Sequence, residues 1–104
     1  MGSLIYGHPS VDIKLEDRVL AHLQMVFSDK LGRKEGFHFS WADHDLAGGG
    51  RNIVWVHPAM PLYFRYSGGR LPSINRAWID DLTRSANSGA GLVLRDEPPE
   101  YGAA

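Results

Sequence analysis

The chain has 104 residues, 43% of them hydrophobic and 22% charged, with a formal net charge of −1. That length suits one domain, and the composition excludes global disorder. The absence of cysteine excludes disulfides, thiolate metal ligands and a cysteine nucleophile, while the near-neutral charge argues against a surface built wholly for phosphate backbones.

Leu4-Ile5-Tyr6 and the alternating run Val11-Asp12-Ile13-Lys14-Leu15 flank Gly7-His8-Pro9-Ser10. Two alternating runs around a Gly/Pro interval predict an opening β-hairpin with Pro9 in the turn. A helix is expected from about Glu16-Asp17 to just before Gly36. Leu20, Leu23, Phe27 and Leu31 recur on one face, widened by Val19 and Val26. Asp17 is expected to cap its N-terminus, Lys30, Arg33 and Lys34 complement the dipole at the other end, and Gly32 or Gly36 stops it.

Residues 37–66 hold seven of the aromatic side chains in three alternating runs: Phe37-His38-Phe39-Ser40-Trp41, Ile53-Val54-Trp55-Val56-His57 and Leu62-Tyr63-Phe64-Arg65-Tyr66. A period of two sends successive side chains to opposite faces of a strand, so the block is expected to be the centre of a twisted antiparallel sheet. Phe37, Phe39 and Trp41 form a buried face, whereas either parity of the second run fits a core. Ser73 is the expected cap of a second helix with Ile74, Ala77, Trp78, Ile79, Leu82 and Ala86 buried. Residues 91–95 read as a last strand. Residues 1–95 are thus one domain, and residues 96–104, with adjacent prolines and no apolar period, are expected to be a flexible C-terminal tail.

Leu4-Ile5-Tyr6-Gly7, Asp17-Arg18-Val19-Leu20-Ala21-His22-Leu23, Pro61-Leu62-Tyr63-Phe64-Arg65, Ile74-Asn75-Arg76-Ala77-Trp78 and Ser85-Ala86-Asn87-Ser88-Gly89 carry a resemblance. Over residues 2–94 the chain resembles a family of small uncharacterised actinobacterial proteins often labelled ATP-dependent DNA ligase. The resemblance implies no functional residues. A ligase needs a nucleophilic lysine in a Lys-x-Asp-Gly context, and the nearest string, Lys30-Leu31-Gly32-Arg33, lacks the aspartate.

No catalytic constellation, metal site or cofactor motif is expected. Asp43-His44-Asp45, with His38 and His57, has no ligand spacing of a known class and reads as a solvated turn. Gly48-Gly49-Gly50-Arg51 reads as a hairpin loop, and His22 as a helical histidine at the edge of the core. Gly68-Gly69-Arg70 precedes a helix and is the better candidate for an anion. With Arg65, Ser73 and Arg76 it forms the expected ligand-facing side, where arginines beside Tyr63 suit phosphates and stacked bases.

The expected fold is α+β, ordered β-β-α-β-β-β-α-β, a mainly antiparallel sheet with two helices packed on one face. Apolar residues on both faces of the central strands point to a protein interface, with Trp55, Tyr63 and Tyr66 as its expected members. The function expected first is a non-enzymatic binding or assembly module in a homo-oligomer or with another protein. An accessory nucleic-acid-binding protein comes second and a small enzyme third. No stretch approaches the roughly 18 apolar residues that span a bilayer, and no charged segment leads into a long apolar run, so a cytoplasmic protein without membrane contact is expected.

Overall fold

A computed structural model describes residues 1–43 and 50–102. The elements follow the expected order: β1 (Gly2–Tyr6), β2 (Val11–Leu15), α1 (Asp17–Gly32), β3 (Phe37–Asp43), β4 (Gly50–Val56), β5 (Leu62–Arg65), α2 (Arg76–Ala86) and β6 (Leu92–Val93). The class is α+β.

The strands divide into two three-stranded sheets, β2-β1-β5 and β4-β3-β6. The aromatic block is therefore not one meander. Its first two runs pair antiparallel, Phe39 opposite Val54, whereas its third run crosses to β1, with Phe64 opposite Leu4. The connection before β5 is stiffened by Pro58 and Pro61, and the Pro61 carbonyl accepts from Gly7 N–H at 3.0 Å, continuing the β1–β5 pairing by one further bond. Alternation then turns Leu4, Tyr6, Ile13, Leu15, Phe37 and Phe39 inward as buried core residues.

Phe27 of α1 joins the two sheets. Its ring meets Phe37, Phe39 and Phe64 edge-on, with centroids 5.0, 5.3 and 5.8 Å away. Such pairs add to the area that the rings bury. A second link is polar: the Tyr6 hydroxyl donates to the Trp55 carbonyl. Desolvation of that buried phenol raises its pKa above the ordinary value.

Asp17 does not cap its own helix. Glu16 occupies the cap position without a side-chain bond, and the Asp17 carboxylate instead accepts from Ser67 N–H at 3.0 Å and Gly68 N–H at 2.8 Å. The turn after β5 arrives at the helix start carrying those donors, and together with the Ser67 hydroxyl they hold the Asp17 carboxyl below its ordinary pKa. At the far end the residue in the left-handed region is Lys34, at φ 61°, rather than either glycine; Glu35 N–H then returns to the Lys30 carbonyl at 3.0 Å.

The α2 cap is Asn75, not Ser73. Its Oδ1 accepts from Ala77 N–H at 3.0 Å, while the Ser73 carbonyl is taken by Arg18. Starting there places Ala77, Trp78, Ile79, Leu82, Ser85 and Ala86 in the core and leaves Ile74 exposed before the helix. Gly91 takes φ 79°, and a Cβ there would lie 2.6 Å from the His38 carbonyl oxygen, so this position requires glycine. It delivers β6 parallel to β3, with Leu92 opposite Phe39.

Candidate binding surfaces

The residues of the expected anion side have separate surroundings. Arg65 lies on the outer face of the first sheet, its guanidinium 5.4 Å from the Tyr63 ring centroid. Gly68 N–H is held by Asp17 at 2.8 Å. Gly69 and Arg70 are exposed. The Ser73 carbonyl accepts from Arg18 Nη1 at 2.8 Å, and Arg76 opens α2 as an exposed residue. Among the described residues, no hydrogen bond or ion pair links Arg65, Arg70 and Arg76.

The expected interface residues also divide. In β4 the even positions Val54 and Val56 face the core, and the odd positions Arg51, Ile53 and Trp55 face out. Ile53 is 53% exposed and Trp55 51%. Register sets Ile53 beside Ser40 and Trp55 beside His38, whose ring is 4.9 Å away and T-shaped to the indole. The indole also lies on the backbone of Gly36, where a Cβ would come within 2.7 Å of Trp55 Cζ2. Trp55 is therefore an exposed aromatic held in place from below. Tyr63 is exposed on the other sheet. Tyr66 is half-buried, donating to Gln24 Oε1 at 2.6 Å, and burial raises its pKa.

Of the histidine and acidic positions considered for a metal, residues 44–49 lie outside the described residues. His57 Nδ1 accepts from Ala59 N–H at 3.1 Å. No group of three or more His, Asp or Glu able to share a metal ion occurs among the described residues. Nor is any described helix long and apolar enough to cross a membrane.

Sequence reasoning missed a polar hub where both helices meet the terminal segment. His22 is fully buried. Its Nδ1 lies 2.7 Å from the Arg18 carbonyl and its Nε2 accepts from Asn75 N–H at 2.8 Å, which requires the neutral ring with its proton on Nδ1. The Arg18 guanidinium meets the Glu97 carboxylate in a fork at 2.7 and 2.6 Å. Asn75 Nδ2 donates to Glu97 Oε2 at 2.9 Å and to the Pro98 carbonyl at 2.8 Å. Those bonds from Arg18 and Asn75 push the Glu97 pKa from 4.5 down to about 2. Further on, the Tyr101 hydroxyl donates to Asp80 at 2.7 Å, which raises the phenol pKa. A short polar segment beyond the last strand carries no periodic signal of these contacts.

Beside the hub runs a groove of about 930 Å³. One wall is β2, from Val11 to Leu15; the other is Trp41, Ala42 and Asn52 of the second sheet with residues 94–97, and Trp78 lines the groove too. Trp78 is 3% exposed, and its indole N–H is buried without an acceptor among the described residues. An unsatisfied buried donor costs about 1–3 kcal/mol.

Comparison with curated proteins and with solved structures gave no match. One family model, described as "Domain of unknown function (DUF7882)", matches residues 1–97. That span takes in both sheets, both helices and the hub through Glu97. The chain therefore belongs to the DUF7882 family of domains of unknown function.

Proposed function

We propose that this domain is a non-enzymatic binding and assembly module that meets a second copy through the outer face of β4. The observation that carries this reading is the pair Ile53 and Trp55, adjacent on one face, each about half exposed, with the indole held by Gly36 and His38. Pre-ordered aromatics lose little side-chain entropy on contact and suit interface cores.

The order Arg51, Ile53, Trp55 is self-complementary. A two-fold axis lying in the interface and crossing β4 at Ile53 sets isoleucine on isoleucine and each Arg51 over the Trp55 ring of the other copy, a cation–π contact. A two-fold axis parallel to the strands would oppose arginine to arginine or leave the indole uncovered. The patch is small. Three strands about 4.8 Å apart and a β4 about 24 Å long cover roughly 300 Å² per copy, against about 800 Å² in standard complexes. Association is therefore weak, with Kd on the order of 0.1–1 mM.

Sedimentation velocity from about 10 µM to about 1 mM tests this, because mass and melting temperature of an associating protein rise together with concentration. Ile53→Glu should abolish the rise. An 11.5 kDa species at every concentration refutes the proposal.

A second reading, an accessory nucleic-acid-binding protein, is favoured by Arg65 stacked over Tyr63 on an outer sheet face, with exposed Arg70 and Arg76 elsewhere. It requires binding to single-stranded DNA or RNA that weakens steeply with salt and loses about one unit of salt slope in Arg65→Ala. Absence of binding at low salt removes it.

A further inference from the structure

We propose that the groove along β2 is a strand-addition site for an extended peptide that alternates apolar with basic residues. This surface is separate from the β4 face, and the inference does not rest on the dimer.

Among the described residues, β2 is the edge of its sheet and pairs with β1 alone. Among the described residues, no backbone hydrogen bond leaves residues 11–15 toward the groove. All five β2 residues line it, of both parities, so the groove runs along the strand edge and not over one face. Here the two sheets part; elsewhere Phe27 and the Tyr6–Trp55 bond hold them together. A row of backbone donors and acceptors facing a groove is the arrangement that an added strand completes. The edge is about 17 Å long, room for about five residues, and the volume lies within the range of ligand sites.

The walls set the character of the occupant. On the side of Ile13 and Leu15, alternate residues of the added strand meet Val19, Trp41 and Leu94. The cations of the rim are engaged: Lys14 with Asp12 at 3.2 Å, Arg18 with Glu97 at 2.6 Å, and Arg95 with Asp81 at 4.0 Å. Glu16 and Asp96 line the same rim as carboxylates without an ion pair among the described residues, so charge complementarity selects lysine or arginine. Lys14 guards the edge against indiscriminate pairing, and Asp12 and Ser3 hold it aside. Trp78 lines the groove as well, so its indole signal reports on an occupant.

The test is a random octapeptide display library panned against the folded full chain, followed by amide NMR titration of the enriched peptides. The expected peptides alternate apolar and basic residues and shift the amides of residues 11–16 together with the Trp78 indole signal. Glu16→Lys combined with Asp96→Lys, both at exposed positions, should weaken them at least about tenfold. Ala42→Trp, which fills the groove from its rim, should abolish binding while the remaining spectrum is retained. The proposal is overturned by failure to enrich any peptide, by peptides whose shifts map to residues 51–66, or by affinities unchanged in the double variant.

Discussion

Replacing Glu97 with glutamine keeps the shape of the side chain but removes the charge to which Arg18 and Asn75 donate. The fork at 2.6 and 2.7 Å and the Asn75 bond at 2.9 Å then face an amide that offers one acceptor and brings two donors of its own. The fall of the Glu97 pKa from 4.5 to about 2 corresponds to about 3 kcal/mol if all of it reached folding. The Arg18 and Glu97 side chains are 33% and 29% exposed, and water at the pair reduces this to about 1–2 kcal/mol. For a domain of this size that lowers Tm by roughly 5–15 °C at neutral pH. Because the folded pKa is depressed, the stabilisation is complete above the unfolded value near 4.5 and disappears as pH falls toward about 2. Thermal melts of wild type and Glu97→Gln across that range should therefore converge in acid. Asp12, Asp17 and Glu35 are also held below their ordinary pKa values, so both proteins lose stability there, and only the difference reports Glu97. A gap below about 0.3 kcal/mol at neutral pH, or one that persists undiminished to about pH 2, refutes the assignment of Glu97 as the anchor of the terminal segment.

Lys34→Gly should stabilise the domain by about 0.5–1 kcal/mol in denaturant melts, since φ 61° strains a lysine and suits glycine; a destabilised variant would show that the lysine side chain matters more than its backbone. His22→Leu should cost about 2–4 kcal/mol by urea titration, because Asn75 N–H and the Arg18 carbonyl lose a buried partner; a loss under about 1 kcal/mol would mean the hub is dispensable. Incubation with labelled ATP should leave no covalent adenylate, because the Lys30 ammonium is buried and held by Asn87 and Glu35, each at 2.9 Å, and a labelled band surviving denaturation would reverse that reading.

Periodicity made the elements legible because each strand and helix has one apolar face, and Phe37, Phe39, Leu20, Leu23 and Leu82 lie where that rule puts them. Sheet membership was not legible. The third aromatic run has the same alternation whether it pairs with β4 or with β1, and its partner, residues 3–6, is remote in sequence. Caps failed for a related reason. Asp17, Ser73 and Asn75 are all competent cap residues, and tertiary partners decide which one serves. Of the surfaces, alternation left both parities of the β4 run open, and the burial of Val54 and Val56 is what turns Trp55 outward. The groove was not legible either, since it exists only where the β2 edge faces Trp41 and the segment after β6.

The pairing of β1 with β5 also governs when the chain can fold during synthesis. The opening hairpin emerges first, yet two strands alone are marginal in water, and Leu4 waits for Phe64 to complete its sheet. The second sheet waits longer, for Leu92 to reach Phe39, and the hub longer still, for Glu97 to reach Arg18. Closing such distant contacts slows folding and leaves apolar strands uncovered meanwhile. Nascent chains halted before Arg65 should therefore bind chaperones and resist native folding, whatever the quality of their local sequence.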